Sequence, residues 1–117
     1  MLTEILPPLH RPLVNAFYKS HASPMRARGH HQIWVLRDPD ICTALCLQTV
    51  ADGLWLTNLF TAPARRGEGL AATLLAHVRQ QYQAPVWLFC APELLNFYAA
   101  CGFTRAEQLP APLQQRL

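Results

Sequence analysis

The pattern of apolar and polar residues changes along the first third of the chain, and each pattern predicts a different element. Residues 1–6 are mostly apolar and predict a short first strand, which two prolines end. From residue 9 to 19, apolar positions recur three and four apart, as at Leu9, Leu13 and Phe17, which predicts an amphipathic helix. Residues 20–31 are polar and basic and predict a loop, in which one helical turn around Met25 is a second expectation.

The middle of the chain has the pattern of a three-stranded meander. Residues 32–37, 41–50 and 54–61 are apolar runs of strand length, separated by two turn signals, Asp38-Pro39-Asp40 and Ala51-Asp52-Gly53. The second run is apolar on both faces for much of its length, so we expect both of its faces to be covered.

The second half returns to helical spacing. Leu70, Leu74 and Val78 predict a helix after residue 67, and the fully apolar residues 85–90 predict a central parallel strand after it. A further helix is expected from Ala91 to a stop at Gly102. A last strand over residues 103–106 and a terminal helical turn within 109–117 complete the prediction. The pattern predicts one mixed α/β domain over residues 1–117.

Composition narrows the class of protein. Half of the residues are apolar (51%) and only 15% are charged, which indicates a folded domain with a real core. The formal net charge is +3, and the basic residues are scattered rather than clustered in a tail. This charge favours a small anionic ligand over nucleic acid.

The cysteines and the ends of the chain give weaker signals. Cys42, Cys46, Cys90 and Cys101 form no CxxC pair and no zinc set with histidine, so we expect buried, reduced thiols and no metal. No signal peptide and no apolar run of membrane-spanning length are visible, which makes the cytoplasm the expected location and gives no reason to expect a membrane partner.

The turn between the third strand and the following helix carries the chemistry. Its sequence is Arg66-Gly67-Glu68-Gly69-Leu70-Ala71. Glycines allow the backbone to approach an oxyanion, and the free N–H groups and the dipole of a helix start attract negative charge. We expect Arg65 and Arg66 to screen that charge. The turn lacks the Gly-Lys-Ser/Thr ending of a Walker loop and the third glycine of a dinucleotide-binding loop. On this pattern alone, an ordinary tight turn is an equal alternative.

Two motifs together resemble the GCN5-related N-acetyltransferase (GNAT) family. The turn fits Arg/Gln-x-x-Gly-x-Gly/Ala after a strand that ends in Leu59-Phe60-Thr61-Ala62-Pro63, and Asn96-Phe97-Tyr98-Ala99-Ala100-Cys101-Gly102-Phe103 follows downstream in the family's order. The resemblance covers about residues 33–106. It implies a single mixed, mostly antiparallel central sheet flanked by helices, with a splayed strand pair (54–61 and 86–90) that holds acetyl-CoA.

The resemblance also implies site residues. Residues 59–61 would bond the pantetheine arm and polarise the thioester carbonyl through a backbone N–H, and the amides of residues 66–72 would hold the pyrophosphate. The implied coenzyme-binding residues are Leu59, Phe60, Thr61, Arg66, Gly67, Gly69, Leu70, Ala71 and Ala72. Tyr98 matches the family's tyrosine that protonates the departing thiolate. An equal alternative is that Tyr98 is a half-buried aromatic residue of the core.

The implied activity is acetyl transfer from acetyl-CoA to a primary amine of a small molecule or protein, which would enter beside the first helix and residues 20–31. Ala91 stands where family members often carry Asn, and no residue is identifiable as the general base. The chain is short at both ends, so a homodimer could complete the acceptor site. A catalytically silent acetyl-CoA sensor or regulatory domain is therefore the alternative.

Trp34, Trp55 and Trp87 are expected in the core, and His30, His31 and His77 at the surface.

Overall fold

A computed structural model of the chain describes residues 1–106 and 108–114. One sheet organises the fold. Its strands are β1 (Leu2–Leu6), β2 (Gln32–Arg37), β3 (Ile41–Val50), β4 (Gly53–Thr61) and β5 (Val86–Trp87). The α-helices are α1 (Arg11–Ser20), α2 (Leu70–Gln81), α3 (Leu95–Ala100) and α4 (Ala111–Gln114), and short 3-10 turns lie at Pro8–His10, Pro63–Arg65 and Pro92–Leu94.

The strands lie in chain order across the sheet. The pairs from β1 to β4 are antiparallel, and β4 pairs with β5 in parallel, through Leu54 opposite Val86 and Trp55 opposite Trp87. The α2 crossover makes the parallel pair possible, because parallel neighbours need a long connection. The predicted mixed, mostly antiparallel sheet flanked by helices is therefore confirmed.

Helices cover both faces of the sheet. Helix α1 buries Val14, Phe17 and Tyr18 against one face, and α2 buries an apolar stripe that includes Leu74 and Val78 against the other. Strand β3 lies between these layers and supplies buried side chains to both, as its two-sided apolar pattern predicts.

Of the four cysteines, Cys42 and Cys46 are buried as expected, whereas Cys90 and Cys101 are only partly buried; all four thiols are free.

Two strand predictions were wrong. The run 85–90 forms a strand only over Val86–Trp87, and this strand lies at the edge of the sheet rather than in its centre. Residues 103–106 form no strand. Phe103 instead packs its ring on Tyr98, and the Arg79 guanidinium lies 4.6 Å from its centroid. A short apolar run fits a packed irregular segment as well as a strand, so its periodicity cannot distinguish the two.

The helical turn expected around Met25 does not form, because side chains bond the backbone groups there. The Ser23 hydroxyl accepts the Met25 N–H (3.2 Å), and Arg26 Nη1 donates to the carbonyls of Ser23 (2.7 Å) and Met25 (2.6 Å). Such local bonds compete with helix formation.

The helix stop at Gly102 and the terminal helical turn are both present. Gly102 has φ +92°, and the Phe103 N–H bonds the Tyr98 carbonyl at 3.0 Å, which closes the end of α3. In α4, Leu113 is fully buried. Residues 115–117 of the expected terminal segment lie outside the described residues. Within the described residues, no helix is long and apolar enough to cross a membrane.

Gly53 allows β5 to approach β4 closely. A Cβ on Gly53 would lie 2.5 Å from the Trp87 ring and would also collide with the Pro85 carbonyl oxygen. That carbonyl accepts the Leu54 N–H at 2.8 Å, so it belongs to the contact that holds β5 on the sheet. A Cβ on Gly29 would meet only the flexible end of Arg11, at 3.0 Å.

We expect Gly53→Ala to lower the free energy of unfolding by about 1–3 kcal/mol, because the new methyl group overpacks a backbone contact. Gly29→Ala is the matched control and should change stability by less than about 0.5 kcal/mol. Chemical denaturation of both variants measures the difference. Equal stability of the two variants would contradict the close approach.

Candidate active site

The two parallel strands separate after their first pairs and leave one edge of β4 open. The Leu54 N–H bonds the Pro85 carbonyl, and beyond Thr61 the Ala62 N–H bonds the Cys42 carbonyl of β3, each at 2.8 Å. Successive residues of a strand present their backbone groups to opposite edges. Since Ala62 and Phe60 face β3, Leu59 and Thr61 face the open edge.

A β-bulge marks the point where β4 changes course. The pairing with β3 shifts between Cys46 opposite Thr57 and Ala44 opposite Phe60. Asn58, within the bulge, has a left-handed φ of +59°. A non-glycine residue rarely adopts this conformation without support from its surroundings.

Three polar contacts hold the bulge. The buried Tyr18 hydroxyl donates to the Asn58 carbonyl at 2.7 Å, and Asn58 Nδ2 donates to the Arg26 carbonyl at 3.0 Å and to Cys46 Sγ at 3.6 Å. Burial raises the pKa of Tyr18, which keeps its hydroxyl protonated as a donor. Sequence reasoning missed Tyr18 and Asn58. The only local signal was an amide side chain in a strand that is otherwise mostly apolar.

The glycine turn leads from the end of β4 into α2. Gly67 and Gly69 have φ values of +86° and +78°, and a Cβ on either would meet no atom within 4 Å. Helix α2 begins at Leu70, and the Thr73 N–H is bonded to the Gly69 carbonyl at 3.0 Å. The N–H groups of residues 70–72 precede that first helical bond and remain available to a ligand. The turn therefore has both the space and the donors that a phosphate requires.

The two arginines of the turn have different surroundings. Arg65 bonds the carboxylates of Asp38 (2.8 Å) and Glu68 (2.9 Å), so its charge is balanced within the protein, and its hydrogen bond lowers the pKa of Asp38. Arg65 therefore adds less net charge to the cleft, and its screening of a ligand stays a prediction. Arg66 is exposed, with its guanidinium 5.1 Å from the Phe60 centroid and its Nε bonded to the Thr61 carbonyl (3.1 Å). Its terminal nitrogens remain free to meet an anion.

A cleft of about 420 Å³ follows the open edge of β4, the glycine turn and α3. All the residues that the sequence assigned to a coenzyme, together with Tyr98, line this cleft. They are Leu59, Phe60, Thr61, Arg66, Gly67, Gly69, Leu70, Ala71, Ala72 and Tyr98. Arg65, Leu94 and Phe97 also line it. The helical spacing of Leu94, Phe97 and Tyr98 was the sequence signal that could have added Leu94 and Phe97 to the predicted cleft residues.

Tyr98 is both a core residue and a cleft residue. Its side chain is 8% exposed and packs between the rings of Phe97 (5.0 Å) and Phe103 (5.6 Å). In the described part of the chain, no group forms a hydrogen bond with its hydroxyl. Burial raises the pKa of Tyr98 to about 12, so the hydroxyl is protonated at neutral pH.

The other residues considered from the sequence do not line the cleft. His30 and His31 contact each other in the loop before β2, and His77 packs against Trp34 at 5.5 Å. Trp34 and Trp55 are buried as expected, whereas Trp87 is only partly buried. Among the described residues, no three His, Cys, Asp or Glu side chains are grouped so that they could hold a metal.

A family model agrees with this architecture. The model described as "Acetyltransferase (GNAT) domain" matches residues 29–105. No curated protein sequence matches the chain.

Solved structures of acetyltransferases share the fold at low sequence identity. The ribosomal-protein-S18-alanine N-acetyltransferase from Escherichia coli has a TM-score of 0.71 and 19% identity, and the match covers 90% of this chain and 78% of that one. Glucosamine-6-phosphate N-acetyltransferase from Arabidopsis thaliana has a TM-score of 0.67 and 14% identity, over 94% and 95%. AAC(6')-Iy, solved with the bisubstrate analogue CoA-S-monomethyl-acetylneamine, has a TM-score of 0.68 and 14% identity, over 93% and 94%.

These structures establish the fold, and the family model, which spans most of the chain, establishes the relationship. The chain belongs to the GNAT family of acetyltransferases.

Proposed function

We propose that this enzyme transfers an acetyl group from acetyl-CoA to a primary amine. The observation that carries the proposal is the cleft at the open edge of β4, which joins a strand edge, a phosphate-compatible turn and the Tyr98 hydroxyl. A pyrophosphate, a long polar arm and a thioester would need the turn, the strand edge and the hydroxyl, in that order.

The cleft suits acetyl-CoA along its whole length. The amides of residues 70–72 and Arg66 would hold the pyrophosphate, since the αL glycines leave open space in front of them. The open backbone edge at Leu59 and Thr61 would bond the pantetheine amides as a neighbouring strand does. Arg66 Nε donates a hydrogen bond to the Thr61 carbonyl at 3.1 Å. This bond would have to break before the pantetheine could bond the same carbonyl.

The proposed chemistry is direct transfer. The neutral amine attacks the thioester carbonyl, so that a C–N bond forms, the C–S bond breaks and the sulfur takes the bonding electrons. The Leu59 N–H, which the bulge turns toward the open edge, would stabilise the developing oxyanion. The Tyr98 hydroxyl would then give its proton to the thiolate.

The acceptor would approach from the α1 side of β4. No carboxylate lies in the chain between residues 5 and 36, which supplies α1, the loop after it and most of β2. Histidines do lie in this segment, and the ring centroid of His21 is 6.1 Å from that of the cleft residue Phe60. The amine proton would therefore leave through a histidine or water rather than through a carboxylate of this segment.

The proposal is tested first by ligand binding and then by turnover. Acetyl-CoA at about one hundred times its Kd should stabilise the protein by about 2.7 kcal/mol. A panel of primary amines should then release free CoA thiol. Binding without thiol release from any amine would favour the sensor or regulatory alternative, and absence of binding would exclude both functions.

Gly69→Glu should weaken acetyl-CoA binding at least about tenfold relative to Gly69→Gln, because only the Glu variant places a negative charge at the phosphate position. The two side chains have nearly the same size and the same backbone strain at φ +78°. The Gln variant is therefore the control for bulk and folding. Calorimetric titration measures both affinities, and equal values would remove the phosphate assignment.

Tyr98→Phe should lower kcat about 100-fold with little change in acetyl-CoA affinity, because the ring is kept and only the proton donor is lost. A raised pKa means that the hydroxyl keeps its proton as pH increases. Since that pKa is about 12, the wild-type enzyme should show no loss of kcat from tyrosine ionisation between pH 7 and about 10. If kcat of the wild-type enzyme fell between pH 7 and about 10 and the fall were absent from Tyr98→Phe, the raised pKa would be contradicted. Equal kcat of the two proteins would assign Tyr98 to the core alone.

A further inference from the structure

The segment that forms α1 and the loop after it carries only positive charge. Between residues 5 and 36 the chain has four cations, four histidines and no carboxylate. The cations are Arg11, Lys19, Arg26 and Arg28, and the histidines are His10, His21, His30 and His31. Across the described residues, none of these cations is part of a salt bridge, whereas Arg37 pairs with Glu4 and Arg65 with Asp38 and Glu68.

Three of the cations line one groove of about 530 Å³ between the outer side of α1 and the loop that follows it. Arg11, Lys19 and Arg26 supply its charge, and Pro8, Pro12 and Ala16 are among its apolar lining. No carboxylate in the described part of the chain lines it. We call it the basic groove.

Backbone contacts hold the Arg26 side of this groove. Arg26 Nη1 donates to the carbonyls of Ser23 and Met25 at 2.7 and 2.6 Å. These bonds orient the guanidinium but leave its charge uncompensated. The Ala27 N–H donates to Asn15 Oδ1 at 2.7 Å, which ties the loop to α1.

The groove is also tied to the strand that would hold the thioester. Asn58 Nδ2 donates to the Arg26 carbonyl at 3.0 Å. Asn58 directly precedes Leu59, the first strand residue of the coenzyme cleft. The bulge in β4 is therefore bonded to the Arg26 loop and directly precedes the strand residues of the cleft.

We propose that the acceptor is a small primary amine that also carries a phosphate group, and that the basic groove binds this phosphate. The inference rests on the proposed acetyl transfer and names the class of its acceptor. Guanidinium groups bond phosphate oxygens in pairs, and lysine adds a point charge. The same charges repel polycationic amines, so the groove selects by repulsion as well as by attraction.

Binding is measured with the coenzyme site filled. The protein is saturated with CoA, so that the glycine turn is occupied, and is titrated with O-phosphoethanolamine and with ethanolamine. We expect the phosphorylated amine to bind at least about tenfold more tightly, because charge-assisted hydrogen bonds to its phosphate would be lost in ethanolamine. Equal or absent binding of the two amines would overturn the groove assignment.

Variants locate the binding site. Arg11→Gln with Lys19→Gln should weaken O-phosphoethanolamine binding about tenfold. Neither side chain forms a hydrogen bond among the described residues, so the fold should be retained. Arg105→Gln is a control that removes one positive charge outside the groove. The double variant Arg28→Gln with Arg105→Gln removes two positive charges outside the groove, as many as the test variant removes inside it. Both controls should leave the affinity within about twofold. Equal weakening by the matched pair would show that the effect is one of net charge only.

Turnover distinguishes failure of this inference from failure of the proposed function. Thiol release should follow the order O-phosphoethanolamine, β-alanine, ethanolamine and spermidine, and the advantage of the phosphorylated amine should fall with added salt. If acetyl-CoA does not bind, the proposed function fails. If acetyl-CoA binds and ethanolamine or spermidine is acetylated as well as the phosphorylated amine, only the groove assignment fails. Preference for β-alanine would assign the groove to a carboxylate instead.

Discussion

The separation of β4 from β5 is the constraint on which the rest of this structure depends. The strands share two residue pairs, and Gly53 is what allows even these to form. Beyond them the edge of β4 has backbone donors and acceptors beside which the described residues place no strand. Proteins rarely leave such an edge without a partner. The glycine turn and α3 lie along this same edge, so the opening becomes a cleft rather than an exposed strand edge.

The bulge at Asn58 connects the α1 side of the sheet to the open edge of β4. Its left-handed backbone conformation costs about 1–2 kcal/mol. The Tyr18 and Arg26 contacts offset this, since each hydrogen bond contributes about 0.5–1.5 kcal/mol. The same two bonds fix α1 and its loop relative to the strand edge. The position of the edge backbone and that of the α1 side are therefore set by one small network.

Charge is distributed unequally around this network. In the turn, Arg65 is balanced by Asp38 and Glu68, so Arg66 and the helix N–H groups are left to attract an anion. On the α1 side, no carboxylate of residues 1–106 or 108–114 forms an ion pair with Arg11, Lys19 or Arg26. The mild net charge of +3 is therefore concentrated at two local positive sites, one at the glycine turn and one on the outer side of α1.

Features that depend on neighbouring residues were predictable from the sequence. The meander, α1 and α2 follow from spacing over a few turns, and Gly67, Gly69 and Gly102 mark positions with φ above zero that other residues rarely adopt. The residues that the family motifs predict to bind the coenzyme all line one cleft. Contacts between distant segments were decided only by tertiary structure. Tyr18 bonds Asn58 across 40 positions, and Arg65 bonds Asp38 across 27. The short edge strand β5 and the irregular segment at Phe103 also depend on which neighbours come within reach. Local spacing specifies which face of an element is apolar, but not which distant backbone or charge will meet it.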